Sequence, residues 1–267
     1  MLHKHIEFPS FYITKPEPCS YLEGRQERRI YTLSTGGDTE TLYNALAKHG
    51  FRRSQFSLYK PACDNCQACL SVRIRVKDFV LSSSMKRVFR QNKHLQRELM
   101  APVADMTQYE LFQQYVTTRH VDGGMADMSA YDYQEMVEDT SVQTCMIMYF
   151  DRSKPEHSTL VAVCITDILN DGLSMLYSFF DPRYHRNSLG TYMVLDHVRI
   201  ARSSLAQPSP GQSPCNRKKY VYLGYWIPGS QKMDYKSRFR PLEVLRDGDW
   251  VELCNSEDYT PDFFPDL

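Results

Sequence analysis

The sequence predicts an α+β fold, in which strands and helices occupy separate stretches of a 267-residue chain. Two apolar, β-rich runs at 160–168 and 173–180 flank Asn170-Asp171-Gly172, which is a strong hairpin signal. A long helix is predicted after them at 188–204, and a further strand at 219–227. A chain of this length can bury a core without disulfides.

The first 80 residues are predicted as an N-terminal α+β subdomain. Its strand-like runs lie at 25–33, 51–58 and 70–79. Gly36-Gly37-Asp38-Thr39 predicts a turn and an N-cap for a helix at 40–49, and Gly50 supplies the stop at C′. The cysteines of PACDNCQAC are expected to form a knuckle between the second and third strands.

Residues 81–143 are predicted as a basic, helical connecting region. In SSSMKRVFRQNKHLQRELM a serine caps a helix that runs to about residue 100. Four cations share one stripe of this helix, at i, i+4, i+7 and i+11: Lys86, Arg90, Lys93 and Arg97. A stripe of like charge destabilises a helix unless something anionic meets it. Two further helices are expected at 106–120 and 131–140.

Residues 144–250 are predicted as a catalytic domain. Three strands, a turn rich in helix-start signals, a helix and a strand follow one another, which is the order found in acyltransferases of the GNAT class. There the turn's backbone N–H groups hold the pyrophosphate of coenzyme A. The nearest match to their glycine signature, Arg186 to Thr191, has one glycine, out of register. The order favours a GNAT-like fold, while the glycine pattern argues against coenzyme A.

Charge is unevenly distributed along a chain whose formal net charge is zero. Residues 51–100 hold eleven Lys or Arg against three acids, whereas residues 243–267 hold eight acids against Arg246. This asymmetry predicts a polyanion-binding face and an acidic tail at 251–267. The other interpretation is a solvated surface whose charges cancel in three dimensions.

The N-terminus lacks the apolar core of a signal peptide, and no apolar run approaches the roughly 20 residues that span a bilayer. We therefore expect a cytoplasmic protein without a membrane partner, in which thiols stay reduced. Three cysteines at intervals of three, with a fourth upstream, have spacing that can wrap zinc or an iron–sulfur cluster. They are Cys63, Cys66, Cys69 and Cys19. The alternative is reduced thiols that pack the turn.

Four separated motifs resemble the bacterial aminoacyl-tRNA–protein transferases, which are relatives of the eukaryotic arginyl-tRNA–protein transferase. The motifs are PCSYLEGRQERRIYT, FRRSQFSLYKPACDNCQACLSVRI, YSFFDPRYHRNSLGTYMVLDHV and YLGYWIPGSQKMDYKSRFRPLE. The similarity runs from about residue 8 to residue 243. Members with the CxxCxxC knuckle are more similar to leucyl-transferring than to arginyl-transferring enzymes.

The resemblance implies transfer of an amino acid from charged tRNA to the N-terminal amine of proteins that begin with Asp or Glu, which marks them for N-end-rule proteolysis. Leucyl-tRNA is the expected donor and arginyl-tRNA the alternative. The aminoacyl ester is already activated, so the chemistry requires no cofactor, and we expect a monomer. Eukaryotic relatives carry an iron–sulfur cluster on N-terminal cysteines, but this sequence has Leu22 and Ala62 where that pattern has cysteines.

Candidate catalytic residues lie where strands end at the expected site. Asp181, directly after a strand, could take a proton or hold the incoming ammonium; its other interpretation is a turn residue before Pro182. Tyr222, Tyr225 and Trp226 are on one predicted strand, where Tyr222 and Trp226 share a face that can stack the terminal adenine of tRNA. Core packing is the alternative for each of these aromatic residues.

Candidate binding residues are cationic. Arg73 and Arg75 lie on one strand face and are candidates for the carboxylate of an N-terminal Asp or Glu, or else face solvent. Three cations after the last catalytic strand join the helical stripe as a predicted tRNA face: Lys232, Lys236 and Arg238.

His120 and His185 are each a candidate base or an ordinary surface residue. Two other classes of protein remain open: a coenzyme-A-dependent N-acetyltransferase, and a non-catalytic metal- or RNA-binding module. Tight binding of acetyl-CoA would favour the first. Binding of tRNA regardless of its aminoacylation would favour the second.

Overall fold

A computed structural model describes residues 9–119, 124–154, 157–206 and 218–254. These residues form mixed helix and sheet, which confirms the predicted α+β class. Among the described residues, no helix has the length and apolar character needed to cross a bilayer.

Six short strands near the N-terminus form a four-stranded sheet and a two-stranded sheet. They are β1 (Tyr12–Ile13), β2 (Glu17–Pro18), β3 (Gln26–Glu27), β4 (Arg29–Leu33), β5 (Arg52–Ser54) and β6 (Ser57–Pro61). The larger of the two sheets has the order β1-β4-β6-β5, and β2 pairs with β3. The single strand predicted at 51–58 is therefore wrong, because a turn with Gln55 at φ +50° divides it into a hairpin.

The first helix matches its sequence signals. It is α1 (Thr39–Lys48), and the Asp38 side chain accepts a hydrogen bond from the backbone N–H of Thr41. Gly50, with φ +83°, follows its end in the left-handed region that glycine tolerates.

Eight strands form the main sheet, in the order β14-β13-β7-β12-β11-β10-β9-β8. They are β7 (Leu70–Arg75), β8 (Leu95–Met100), β9 (Thr144–Lys154), β10 (His157–Ile168), β11 (Gly172–Phe180), β12 (Tyr220–Trp226), β13 (Leu242–Arg246) and β14 (Asp249–Glu252). The sequence did not predict β13 and β14. The division of the chain at residues 80, 143 and 250 stays a prediction. β7, which precedes residue 80, pairs with β12 and β13, and β14 crosses residue 250.

Four helices cover the main sheet in two layers. They are α2 (Ser83–Gln91), α3 (Met106–Arg119), α4 (Ala130–Glu138) and α5 (Leu189–Ala206). One buried cluster joins α2 and α5 to the sheet, and a separate cluster joins α3 and α4 to it. Most of the predicted tail, residues 255–267, lies outside the described residues.

The helix predicted from 83 to about 100 is wrong beyond Gln91. Asn92 ends α2, and its side-chain amide donates to the carbonyls of Val88 and Asn187. The following residues form β8, which pairs antiparallel with β9 at the edge of the main sheet. Pairing with β9 outweighs local helix propensity there. Only Lys86 and Arg90 of the predicted stripe are helical.

β11 and β12 separate along their length, and this opening positions the candidate site. The two strands run parallel, but they pair only from Gly172 to Ser174 against Tyr220 to Tyr222. A register shift between Tyr222 and Gly224 accompanies the separation. We call the space between the unpaired ends of β11 and β12 the strand gap.

The same register shift contradicts the predicted common face of Tyr222 and Trp226. Tyr222 packs in the cluster that contains α1, whereas Trp226 belongs to the cluster that contains α5. A bulge adds one residue to the two-residue alternation of a strand, so the side chains beyond it change faces.

Candidate active site

A cleft of about 390 Å³ opens beyond the end of β11. β11 contributes Ser178 and Phe180, the start of α5 contributes Leu189, and the segment after β12 contributes Lys232 and Tyr235. Ligand sites commonly occupy about 300–1,000 Å³, so the cleft is large enough for a nucleoside.

The lining of the cleft favours an anion. Arg119, His185 and Lys232 line it, as do Gly190 and Thr191 in the first turn of α5. The first N–H groups of a helix lack intrahelical acceptors and carry partial positive charge. Among the described residues that line the cleft, none is acidic. The cleft therefore suits a phosphate or a carboxylate.

Asp181 is 2% exposed and caps the 3-10 helix Pro182–Asn187. Its carboxylate accepts from the backbone N–H of Arg183 at 2.9 Å and from the Arg183 guanidinium at 2.6 Å. Asp181 therefore has the turn position before Pro182 that was one of its two interpretations from the sequence. The catalytic role of Asp181 stays a prediction.

Of the three aromatic candidates on β12, Tyr222 and Trp226 are buried and Tyr225 is half-buried, and none is among the described residues that line the cleft. The Tyr222 hydroxyl donates to Asp171 at 3.2 Å and accepts from Arg73 at 3.2 Å. The Tyr225 hydroxyl lies 3.0 Å from the carbonyl of Gly50, and burial raises its pKa. Trp226 is 1% exposed in the core.

Both arginines proposed for the substrate carboxylate already have acidic partners. Arg73 contacts Glu243 at 2.7 Å, and its guanidinium lies 3.7 Å from the ring centre of Tyr220. Arg75 bridges to three carboxylates, those of Asp78, Glu243 and Glu252. These ion pairs connect β7 to β13, its neighbour in the main sheet, and to β14, which follows β13 at the edge of the sheet.

The predicted tRNA-binding cations divide into two groups. Lys86, Arg90 and Lys93 are exposed, whereas Arg97 on β8 contacts the buried Asp196 at 3.1 Å. The C-terminal end of α2 also lies beside the cleft, because the Gln91 amide donates to the carbonyl of Arg186 at 2.8 Å. Exposed Arg87 extends the basic surface. We define the basic surface as Lys86, Arg87, Arg90 and Lys93.

The cations after β12 also differ from one another. Lys232 lines the cleft, and Arg238 is exposed, 3.9 Å from Asp234. Lys236 is buried, and its ammonium donates to the carbonyl of Tyr225 at 2.5 Å. Burial, together with the nearby charge of Arg52, lowers the pKa of Lys236 to about 7.

Arg52 is a residue that sequence reasoning missed. It extends from β5 into the strand gap and donates to the carbonyls of Met175 and Leu176 at 2.7 and 2.8 Å. A Cβ atom on Gly224 would lie 1.7 Å from its guanidinium. A glycine inside the strand KYVYLGYWI was the available signal, because such glycines often mark a close approach.

The two candidate histidines have different outcomes. His185 lines the cleft. His120 lies outside the described residues. Catalysis by either histidine stays a prediction.

The four predicted metal-binding cysteines line one small pocket of about 60 Å³. Burial raises the pKa of the Cys69 thiol to about 12, and it raises the pKa of Cys63 as well. The Cys63 sulfur accepts a hydrogen bond from the backbone N–H of Arg28. Across the described parts of the chain, no group of three or more His, Cys, Asp or Glu side chains is arranged as a metal site.

Comparisons with known proteins identify the family. The family model for the C terminus of arginine-tRNA-protein transferase matches residues 107–246, and the model for its N terminus matches residues 17–87. Three curated relatives are each called aspartate/glutamate leucyltransferase. The relative from Jannaschia sp. is 48% identical over 257 residues, which is 96% of this chain and 85% of that protein.

The relative from Ruegeria pomeroyi is 49% identical over 93% of this chain and 86% of its own length. The relative from Paracoccus denitrificans is 45% identical over 99% of this chain and 93% of its own length. The chain is therefore a transferase enzyme of the aminoacyltransferase class. It belongs to the arginine-tRNA-protein transferase family.

Proposed function

We propose that this enzyme transfers leucine from leucyl-tRNA to the N-terminal amine of proteins that begin with Asp or Glu. The product would carry leucine at its N-terminus and enter N-end-rule proteolysis. The observation that carries the proposal is identity of 45–49% to aspartate/glutamate leucyltransferases over nearly the whole chain. Transfer of arginine is the alternative, because the family models describe an arginine-tRNA-protein transferase.

The reaction is aminolysis of an ester. The neutral α-amine attacks the aminoacyl carbonyl, an amide bond forms, and the ester bond to the terminal ribose breaks. The amine loses a proton, and the ribose oxygen takes up a proton and leaves as a hydroxyl. Because the aminoacyl ester is already activated, no ATP is needed. Correct placement of the two reactants can contribute roughly 7–11 kcal/mol. A donor to the oxyanion typically contributes about 3–4 kcal/mol.

A GNAT-like architecture for β9–β12 and α5 is part of this proposal. It is supported by the strand gap between β11 and β12 and by the cleft at the start of α5. In this arrangement the cleft would receive the aminoacylated adenosine instead of coenzyme A. The turn has one glycine, Gly190, and lacks the full glycine signature of coenzyme A sites. This supports the aminoacylated adenosine as the ligand in place of coenzyme A.

The basic surface is proposed to contact the acceptor stem of the tRNA. It is formed by exposed cations, and hydrogen bonds connect the end of α2 to the loop that borders the cleft. A tRNA on this surface could extend its 3′ end past His185 into the cleft. Lys232 would meet a terminal phosphate there.

The cysteine pocket is proposed to hold zinc or an iron–sulfur cluster. The donor chemistry fits, because four thiols line one pocket and thiolates are the preferred ligands of both groups. Cys19, Cys63, Cys66 and Cys69 would hold it, after a local approach of their sulfurs. The bound group would cross-link the turn after β6 to the N-terminal segment; it has no part in the transfer step.

Metal content tests this part of the proposal. Anaerobically purified protein should contain zinc or iron in stoichiometric amount, and Cys66→Ser should abolish it. Cys254→Ser is the matched control, because Cys254 is an exposed thiol away from this pocket. Metal-free native protein with full activity would contradict the proposal.

We further propose that the enzyme acts as a monomer in the cytoplasm, where charged tRNA is made.

A labelled-donor assay tests the proposed function. Purified protein is mixed with a peptide that begins with Asp and with total tRNA charged with labelled Leu, Arg, Phe or Met. We expect incorporation of leucine alone. Incorporation of arginine alone would establish the alternative donor. Absence of all four labels, with the charged tRNA shown to be intact, would refute the proposal, and labelled acetyl-CoA in parallel tests the acetyltransferase class.

A further inference from the structure

We propose that Arg52 and Lys236 form the subsite that binds the side-chain carboxylate of the N-terminal Asp or Glu of the protein substrate. This inference rests on the proposed function. It replaces Arg73 and Arg75, the pair that the sequence suggested for this role.

Arg52 brings a positive charge into the strand gap, where no carboxylate of the described residues neutralises it. Its guanidinium donates to the carbonyls of Met175 and Leu176, and no ion pair joins it to an acid among the described residues. The neighbouring arginine, Arg53, is different, because it contacts the buried Asp167 at 2.8 Å. A guanidinium has more N–H groups than Arg52 uses here.

Lys236 adds a second cation to the same gap. It is 8% exposed, and its ammonium donates to the carbonyl of Tyr225 on β12. In the part of the chain that the structure describes, it has no ion-pair partner either. An ammonium can donate further hydrogen bonds. Both cations reach the same part of β12, because the Arg52 guanidinium lies against Gly224 and 5.9 Å from the ring centre of Tyr225, the residue whose carbonyl accepts from Lys236.

A half-buried guanidinium near a buried ammonium, with no acid paired to either among the described residues, is unfavourable unless an anion joins them. The proposed substrate supplies one, since an N-terminal Asp or Glu carries a carboxylate next to the reacting amine. The Arg52 guanidinium, bonded to carbonyls of β11, and the Lys236 ammonium, bonded to a carbonyl of β12, could hold its two oxygens.

The subsite is continuous with the candidate cleft. Tyr235, the residue before Lys236, lines the cleft. On β11, Ser178 lines the cleft two residues after Leu176, whose carbonyl accepts from Arg52. A peptide N-terminus in the cleft would therefore point its first side chain into the strand gap.

Three other arginines near the sheet are already paired with carboxylates of the protein. Arg73 and Arg75 contact Glu243, and Arg75 also contacts Glu252. Arg183 contacts Asp181. A substrate carboxylate at any of these positions would compete with a carboxylate of the protein.

Peptide specificity tests the proposal. Peptides that begin with Asp and with Asn are compared as acceptors, because the two side chains have nearly the same shape and differ in charge. In the wild-type enzyme kcat/KM should favour Asp. Arg52→Gln and Lys236→Met should each lower the Asp-to-Asn ratio at least tenfold, because kcat/KM falls much further for the Asp peptide than for the Asn peptide. Lys48→Met, an exposed cation on α1, is the control and should keep the ratio.

Each outcome bears on the proposal. Equal losses for both peptides would mean that the two cations only support the fold, and would overturn it. If Lys236→Met does not fold, Arg52→Gln decides by the same ratio. A wild-type enzyme that transfers leucine to no peptide refutes the proposed function instead, whereas active variants with an unchanged ratio refute this inference alone.

Discussion

At the scale of single residues, the surroundings of a cation decide its role more than its place in the sequence. Arg73 and Arg75 alternate with apolar residues, so their common strand face was predictable. Their partners were not, because Glu243 and Glu252 are distant in sequence and on strands that were not predicted. The role of Arg52 could not be predicted from its own position in the sequence. Its sequence signal is Gly224, which is on another strand.

The pH dependence of stability should reveal the buried Lys236. Its pKa is lowered to about 7 in the folded protein from 10.5 in the unfolded chain. Between those values the unfolded chain binds one more proton, so this residue makes the free energy of unfolding rise with pH. We expect the difference between wild type and Lys236→Met to change by about 1 kcal/mol per pH unit in that window.

Denaturant unfolding of both proteins from pH 7 to 9.5 measures this difference. If the free energies of unfolding of wild type and Lys236→Met change with pH in parallel, the lowered pKa of a buried Lys236 is contradicted. Titrations of other groups cancel in the comparison, as far as the substitution leaves their surroundings unchanged.

Asp181→Asn tests the catalytic role predicted for this residue. Asparagine can replace aspartate as a helix cap, so the turn before Pro182 should persist while the negative charge is lost. We expect turnover to fall at least tenfold with unchanged affinity for tRNA. Near-normal turnover in single-turnover assays would leave Asp181 with its turn role. Asp64→Asn, an exposed carboxylate on the cysteine turn, is the control.

At the scale of elements, local signals predicted the helices well and the edges of sheets poorly. Capping residues and periodicity located α1, α3, α4 and α5 to within one or two residues. β8 was missed because its sequence continues the helical pattern of α2, and only pairing with β9 makes it a strand. Such pairing depends on contacts that are distant in sequence.

Gly224→Ala tests the strand gap. A Cβ atom there would meet the Arg52 guanidinium at 1.7 Å, and φ is +74°, which an alanine rarely adopts. We expect kcat/KM for the Asp peptide to fall at least tenfold, together with a lower melting temperature. Gly229→Ala is a matched control, because it has φ +77° but no atom within 4 Å of an added Cβ. Equal effects of the two substitutions would assign the loss to backbone strain alone.

The basic surface should determine how tRNA binding depends on salt. Replacing Lys86, Arg90 and Lys93 by glutamine should weaken binding and reduce the slope of log affinity against log salt by up to about three. A matched substitution of exposed Lys48 should leave the slope unchanged. Fluorescence anisotropy with labelled tRNA at several salt concentrations measures it. An unchanged slope in the triple variant would exclude this surface.

At the scale of the whole molecule, the order of elements was predictable and their assembly was only partly so. The hairpin at Asn170-Asp171-Gly172, the long helix and the following strand are all present. The sequence could not show that β7 joins the main sheet beside β12, or that Arg52 from the small sheet enters the strand gap. Both depend on contacts between distant parts of the chain.

We propose that one cleft unites a leucylated tRNA end with an acidic protein N-terminus. The most direct measurement is mass spectrometry of an Asp-initiated peptide after incubation with the enzyme and purified leucyl-tRNA. We predict one added leucyl group on the α-amine, and no addition to the same peptide with an acetylated N-terminus. Leucine on another atom, or an unmodified peptide beside deacylated tRNA, would contradict the claim.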